Sequence, residues 1–288
     1  MQFYLTALIL ALSMACLGWG VFISLKISGF PDITTDGSYT LGAAVLAVCL
    51  DSGLHWGIGM VLALFSGLLA GGLTGLMHTR LKVQALLSGI LMMTALYSVN
   101  LMIMGRSNIP LDDSQTFFGE LNLFENTYFS QAVLLLFVCL VIGKGLHWYL
   151  QTDSGIALRA TGNAAVMARS MGVNTSLYQT GALALSNGLT ALSGALVAQV
   201  QLFADINMGI GIVIFGLGAV MIGDSLNGSK RTGTGRQIIA VLAGCLIFRL
   251  IIAFSLQIGA DPVWLRLITS AVVLIFVALP SIRQQKRL

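Results

Sequence analysis

Charge is what this sequence has least of. Of 288 residues only 9% are Asp, Glu, Lys or Arg, against roughly 25% in a soluble domain. A chain this poor in charge cannot make a wettable surface by folding on itself. With 57% hydrophobic residues and a mean hydropathy of +0.90, it reads as all-α, a polytopic membrane helical bundle whose first partner is the lipid membrane. The net charge of +4 reflects where basic residues flank the bilayer. It does not call for nucleic acid as a partner.

Other absences narrow the chemistry. The four cysteines, Cys16, Cys49, Cys139 and Cys245, form no C-x-x-C pair and lie inside apolar runs. They read as small core hydrophobes rather than metal ligands or a disulfide framework. His55, His78 and His147 stand far apart, and two of them precede tryptophan, a pattern of the interfacial aromatic belt. No metal and no cofactor are expected in this chain. The first apolar run lacks a basic leader, since the first positive side chain is Lys26, so it reads as a retained span and not a signal peptide. The nearest approach to a phosphate-binding P-loop is Gly223 to Lys230, with lysine and hydroxyl residue in the wrong order and apolar runs on both flanks. There is no catalytic constellation of Ser, His and Asp, nor a carboxylate pair on one helix face. The chain is not expected to be an enzyme. Any energy from ATP must come from another subunit.

What is present is a series of apolar runs, at about 3–25, 54–78, 83–104, 128–150, 176–201, 208–226, 236–257 and 262–280, with a shorter one at about 37–50. A crossing helix needs about 20 such residues, so about eight to nine spans are expected. Lys26, Arg80, Lys82, Lys144, Arg159, Arg169, Lys230, Arg231, Arg236, Arg283, Lys286 and Arg287 fall on one side if nine segments alternate. The opposite loops carry Arg106 among the acids Asp112, Asp113, Glu120 and Glu125. By the positive-inside rule the C-terminus is cytoplasmic and the N-terminus outside. If 37–50 is re-entrant, the N-terminus is cytoplasmic as well. Gly67, Gly71 and Gly75 recur at i, i+4 and i+8, the spacing that lets two helices approach closely in lipid.

Two stretches break the hydropathy in the same way. FPDITTDGSYTLGAAV begins at Phe30, and FADINMGIGIVIFGLGAV begins at Phe203. Each opens Phe-x-Asp-Ile with a short polar residue next, then passes through glycine into an apolar helix. The first joins segments one and two, and the second joins segments six and seven. An odd offset implies copies of opposite direction, hence an inverted repeat. Paired interruptions of this kind point to a translocation path, because non-helical backbone at membrane depth needs protein or water around it. The expected path residues are Phe30, Asp32, Thr34, Asp36, Gly37, Tyr39, Asn187, Asp205, Asn207 and Arg249. Pro31 disfavours helix before it, and Asp36 is placed to cap a helix beginning near Gly37 or Ser38. Asp32 and Asp205 are expected to occupy equivalent places in opposite halves. Arg249 lies inside the eighth span, where a charge needs an acid such as Asp205, a ligand, or water. Asn100, Asn187 and Gln199 lie on the path or bond between helices.

Residues 155–174, GIALRATGNAAVMARSMGVN, are too polar to span. Asn163 suits an N-cap, Ala164 to Met171 gives about two turns, and Gly172 can end the helix in the left-handed region. Val166, Met167 and Met171 form a short apolar stripe, with Arg159 and Arg169 around it. This is a small rigid knob suited to a partner protein.

That segment, through Leu158-Arg159-Ala160, Gly162-Asn163, Ala168-Arg169 and Gly172-Val173, resembles the cytoplasmic coupling loop of ABC importer permeases of the branched-chain amino acid and ribose group. (Here Asn163 follows Gly162 directly, where many relatives insert a residue.) FPDITTDGSYTLGAA and Ser88 to Ser98 also resemble that family, and the closest look is to a subgroup linked to aromatic or hydrophobic amino acids. The resemblance implies a bacterial inner-membrane permease in one transmembrane domain. Half one would be about 1–104 and half two about 175–288, with a linking loop and span at 105–150 and a coupling segment at 151–174. It implies a homodimer of permeases, an ABC ATPase subunit carrying ATP and Mg, and an extracytoplasmic substrate-binding protein. Arg159, Ala160, Gly162, Asn163, Val166, Met167, Ala168, Arg169, Met171 and Gly172 would couple the ATPase. An ion-coupled secondary transporter or a channel is the alternative.

Overall fold

A computed structural model describes residues 2–121, 126–227, 233–257, 264 and 267–276. The basic residues Lys230, Arg231, Arg283, Lys286 and Arg287 and the acid Glu125 lie outside the described residues, as do the end of the P-loop-like stretch from residue 228 and the ends of the 262–280 run.

The described residues are helical apart from one short ribbon and the connecting turns. In order it runs α1 (Gln2–Ser13), α2 (Ala15–Val21) continuing into a π-helical turn (Phe22–Ile27), α3 (Thr34–Asp51), α4 (Trp56–Thr79), α5 (Ala85–Met104), β1 (Asn108–Pro110), α6 (Phe117–Glu120), α7 (Thr127–Gln151), α8 (Asp153–Asn163), α9 (Ala165–Ser170), α10 (Thr175–Gln201), β2 (Phe203–Asp205), α11 (Ile212–Asn227), α12 (Thr234–Gln257) and α13 (Leu267–Phe276). Among the described residues five helices are long and apolar enough to cross a membrane: α4, α5, α7, α10 and α12. A sixth span arises if α1 and α2, bent by 41° at their break, count as one. The remaining apolar runs form the shorter helices α11 and α13 and the polar-headed α3.

The bundle is arranged around α3 and α10. Helix α3 is buried on every side except at Val45, Val48 and Asp51. That explains its composition: hydrocarbon would penalise its Thr34, Thr35, Asp36, Ser38 and Thr40, whereas neighbouring helices can satisfy them. Helix α10 packs on α4, α3 and α2, while α11 packs on α12 and α2. The i, i+4 glycines of α4 explain the closest contact. A side chain at Gly67, Gly71 or Gly75 would collide with Asn187, Leu183 or Thr180 of α10, so the two backbones lie against each other as the spacing implies. Helix α5 is the opposite case: it is buried only at Ser88, Gly89, Leu96, Asn100 and Met104, and most of its other residues are exposed. All four cysteines are buried free thiols.

Two boundaries differ from the hydropathy reading. Helix α3 begins at Thr34 and not near Gly37, because Asp32 accepts the Thr34 amide at 2.9 Å and starts the helix earlier. Helix α11 begins at Ile212, after a turn at 206–211. The ribbon pairs Asn108 with Asp205, Ile109 with Ala204 and Pro110 with Phe203 in antiparallel register, tying the loop after α5 to the one after α10.

Candidate functional site

The two interrupted stretches meet. At the first, the π-helical turn ends with the Ser28 amide on the Ile23 carbonyl, Gly29 takes φ +70, and Pro31 supplies no amide. Asp32 then sits 7% exposed with both carboxylate oxygens hydrogen-bonded. Its Oδ1 accepts from the Thr34 amide, and its Oδ2 accepts from Asn187 Nδ2 at 2.6 Å. Asn187 lies about three turns into α10 and accepts from Ser38 Oγ at 2.7 Å. Thr34 Oγ1 meets Thr74 Oγ1 of α4 at 3.0 Å. One buried network thus joins α3, α4 and α10. A carboxylate is tolerated there because charge-assisted bonds replace its water. Phe30, also buried, stands edge-on to His78.

Asp36 does cap a helix, but not its own. It lies in the first turn of α3, and its carboxylate accepts from the amides of Gly211 at 2.8 Å and Val213 at 2.9 Å. These are orphan donors at the start of α11, and a negative charge there suits the helix dipole. The expected capping partner was local; the actual one comes from the second interrupted stretch. The signal for it was present in the glycines at 209 and 211, which let the turn close on the Asp36 backbone.

Asp205 repeats the local chemistry of Asp32. Its Oδ1 accepts from the Asn207 amide at 2.8 Å, as Asp32 accepts from Thr34. The surroundings differ: Asp205 ends β2, is half-buried and faces Asn108, while Asn207 is exposed. The expected equivalence holds for the turn and fails for its environment, because the ribbon with β1 has no counterpart at the first interruption among the described residues. Asp205 makes no ion pair with Arg249. Arg249 is partly buried on α12. Gly37 serves through its backbone, whose carbonyl accepts from Asn100 Nδ2 at 3.1 Å. Gln199 accepts the Phe117 amide at 2.7 Å. Seven of the expected path residues, Phe30 through Tyr39 and Asn187, therefore fall in one buried region; Asp205 and Asn207 lie apart. Ser38, Thr74, Gly211 and Val213 belong to that region and were not singled out from the sequence.

The second site is the knob between α7 and α10. Asn163 is not an N-cap. It is the last residue of α8, whose N-cap is Thr152, and the break falls at Ala164 with φ −153 and ψ 76. Thr152 Oγ1 accepts the Gly155 amide and starts the helix about eleven residues earlier than expected. Gly172 does adopt the left-handed region, at φ +84. The Val173 amide bonds the Ala168 carbonyl and the Gly172 amide bonds that of Arg169, the paired pattern of a Schellman stop. Arg169 reaches Thr175 Oγ1 at 3.1 Å and Arg159 reaches Thr234 Oγ1 at 3.2 Å, so both arginines brace the knob against helix starts. Val166 is 87% exposed, Met171 78% and Met167 68%. Beside them a groove of about 440 Å³ runs between α8 and α9, lined by Ile156, Ala160, Asn163 and Met167 among others. Ala168 is buried. Gly162 lies directly on the Ile27 carbonyl, with no room for a side chain.

Comparison with known proteins is consistent along the whole chain. Residues 3–278 match the family described as branched-chain amino acid transport system / permease component. The chain is 38% identical over 271 residues to a tyrosine transport system permease protein of Clostridioides difficile, covering 93% of this chain and 88% of that one. It is 24% identical over 237 residues to a ribose import permease protein of Haemophilus influenzae, covering 81% and 72%. Among solved structures, PsaBC from Streptococcus pneumoniae in complex with Fab shares the fold, with a TM-score of 0.51 at 15% identity, covering 96% of this chain and 91% of that one.

Proposed function

Because the chain belongs to the family of branched-chain amino acid transport system permease components, we propose that it is the membrane subunit of an ATP-driven ABC importer that carries an amino acid inward. Its own part is non-catalytic. ATP and Mg act on a partner ATPase subunit, and an extracytoplasmic binding protein delivers the solute. The relative named for tyrosine transport makes an aromatic amino acid the favoured cargo. In this reading two copies form the path in a bacterial inner membrane, the chain crosses eight to nine times in two inverted halves, and the C-terminus is cytoplasmic.

The knob of α8 and α9 carries the proposal. Its exposed Val166, Met167 and Met171 offer an apolar surface on an otherwise polar segment, which is what a partner protein covers and water does not favour. Its other side rests on the Ile27 carbonyl through Gly162, five residues before Asp32. Motion of a docked ATPase then reaches the Asp32–Asn187 network and, through Asp36, the start of α11. Those are the residues proposed to shape the path.

The test is reconstitution. The chain is co-purified with its ATPase and placed in liposomes with the binding protein, and uptake of labelled L-tyrosine is followed with and without ATP. Uptake that needs ATP and all three components supports the reading. Transport by the chain alone, driven by an ion gradient, sinks it in favour of a secondary transporter.

A further inference from the structure

The ribbon of β1 and β2 stands at the far end of the molecule from the knob. Helix α10 begins directly after the knob, at Thr175, and ends at Gln201, directly before β2. Its 27 residues set the two apart by about 40 Å.

The ribbon is held from behind. Ile109 and Ala204, opposite each other in its register, are buried in one apolar cluster with Leu46 and Leu50 of α3 and Ala195 and Ala198 of α10. Strand alternation then turns Asn108, Pro110 and Phe203 outward, and they are exposed. Leu202, exposed as well, sits in the left-handed region at φ +60, which a bulky side chain enters only under constraint. The constraint is its carbonyl, which accepts the Leu111 amide at 2.8 Å. That bond sets Asp112 beside Leu202. Asp113, next in the chain, is fixed too: Gly119 of α6 lies on its carbonyl with no room for a side chain.

The acids of this face lack a counter-charge. Among the described residues the ion pairs are Lys26–Asp224, His55–Glu120 and Arg106–Asp51. Asp112 accepts only from the Ser114 amide and Asp113 from the Thr116 hydroxyl, while Asp205 accepts from the Asn207 amide and from Asn108. Pro110, Leu202 and Phe203 therefore make an apolar spot bordered by Asp112, Asp113 and Asp205. An apolar centre with a polar rim is the anatomy of a protein interface. The rim charge selects the occupant. A second copy would bring the same acids against these, and acidic lipid headgroups are repelled likewise.

We propose that the outward face of the ribbon is the docking surface for the extracytoplasmic binding protein, which meets it with an apolar patch ringed by lysine or arginine. This rests on the importer reading above, in which the knob meets the ATPase and the ribbon faces the other side of the membrane. It adds the place where the binding protein docks and the sign of the charge it carries. The ribbon also leads straight into the turn that packs Gly209 on the Asp36 backbone. A docked binding protein thus bears on the same two interruptions that the knob reaches from the opposite side.

The experiment uses the reconstituted complex of the chain and its ATPase, together with the extracytoplasmic protein that gives it ATP-dependent L-tyrosine uptake. The concentration of that protein giving half-maximal stimulation of ATP hydrolysis is measured at about 50 and about 300 mM salt, conditions that screen surface charge to different degrees. The chains compared are wild type, Asp112→Lys with Asp113→Lys, Asp112→Asn with Asp113→Asn, and Phe203→Ala. In wild type the value is expected to rise with salt. At low salt the lysine pair should raise it about tenfold or more and abolish the salt dependence, and the asparagine pair should raise it less. Phe203→Ala should raise it with the salt dependence kept. Co-purification with the ATPase separates folded variants from lost ones; if the lysine pair is lost, the asparagine pair decides. A wild-type value in the asparagine pair overturns the proposal. So does tighter binding by the lysine pair, which marks an acidic partner. So does dissociation of the two copies with stimulation otherwise unchanged, which makes the face a contact between copies. If no extracytoplasmic protein supports ATP-dependent uptake by the wild-type complex, it is the importer reading that fails, so the two failures are distinguishable.

Discussion

Asp36 and Gly211 are joined by a hydrogen bond of 2.8 Å between positions 175 residues apart. With the neighbouring bond to Val213, it fastens the start of α11 to the first turn of α3. The two interrupted stretches are therefore one mechanical unit, joined by this carboxylate and by the close packing of Gly209 on the Asp36 backbone.

Replacing that carboxylate tests the unit. Asp36→Ala leaves two amides unpaired in a part-buried site, and hydrogen bonds to charged groups contribute about 1.5–3 kcal/mol each. The midpoint of thermal unfolding in detergent is expected to fall clearly. Asp36→Asn, which keeps one acceptor oxygen, is expected to lie between Asp36→Ala and wild type. Equal midpoints for all three would show that the cap carries no stability.

Asp32 and Asn187 are expected to be coupled. Asn187→Ala strands a buried carboxylate oxygen and the Ser38 hydroxyl, whereas Asp32→Ala removes the charge itself. A double-mutant cycle on unfolding free energy is expected to give an interaction of about 0.5–3 kcal/mol. Strict additivity would mean that the 2.6 Å bond adds nothing to folding.

Gly162 is expected to tolerate no side chain, because a Cβ there would overlap the Ile27 carbonyl. Gly162→Ala must push the knob away from the π-helical turn. Uptake per ATP hydrolysed should fall by more than uptake of Gly181→Ala, whose added Cβ meets nothing. Matching ratios for both variants would disconnect the knob from the path.

Gly172 at φ +84 sets the end of α9. Gly172→Ala costs about 1 kcal/mol for the left-handed conformation, and Gly172→Asn less, since asparagine visits that region. Either change loosens the Val166–Met171 surface. Affinity for the ATPase, measured by co-purification across detergent or salt, is expected to fall in the order glycine, asparagine, alanine. Binding by Gly172→Ala as tight as wild type contradicts a docking role for the knob's geometry.

Gly71 holds α4 on α10. Gly71→Leu would drive a side chain into the Leu183 carbonyl, and overpacking of this kind costs about 1–3 kcal/mol or more. Expression of folded protein should drop sharply, while Gly72→Ala, whose Cβ would meet only that of Ala184 at 4.0 Å, should be recovered near wild-type level.

Much was legible in the chain itself because lipid imposes it. Composition dictated a helical bundle. The i, i+4 glycines dictated that α4 meets another backbone closely, though not that the other is α10. Pro31 and Asp32 marked the first interruption, and Gly172 marked the end of the knob, since proline, glycine and short acids act through local backbone geometry. What failed were the inferences about partners. Asp36 suits a cap for the nearest helix but caps a distant one, and Asn163 suits a start where it is an end. Each is a residue whose type was informative and whose partner lay far off in sequence.

By itself, then, the sequence determined that this protein lives in a membrane, where it breaks its helices, and which residues carry the polar chemistry of those breaks. These follow from local preferences and from the cost of polar groups in hydrocarbon. Only the tertiary structure decided that Asp36 closes on Gly211 and that Asp32 closes on Asn187. Those pairings span 155 to 175 residues for the two aspartates. They are set by which helices pack together, a property of the whole bundle that no short stretch encodes.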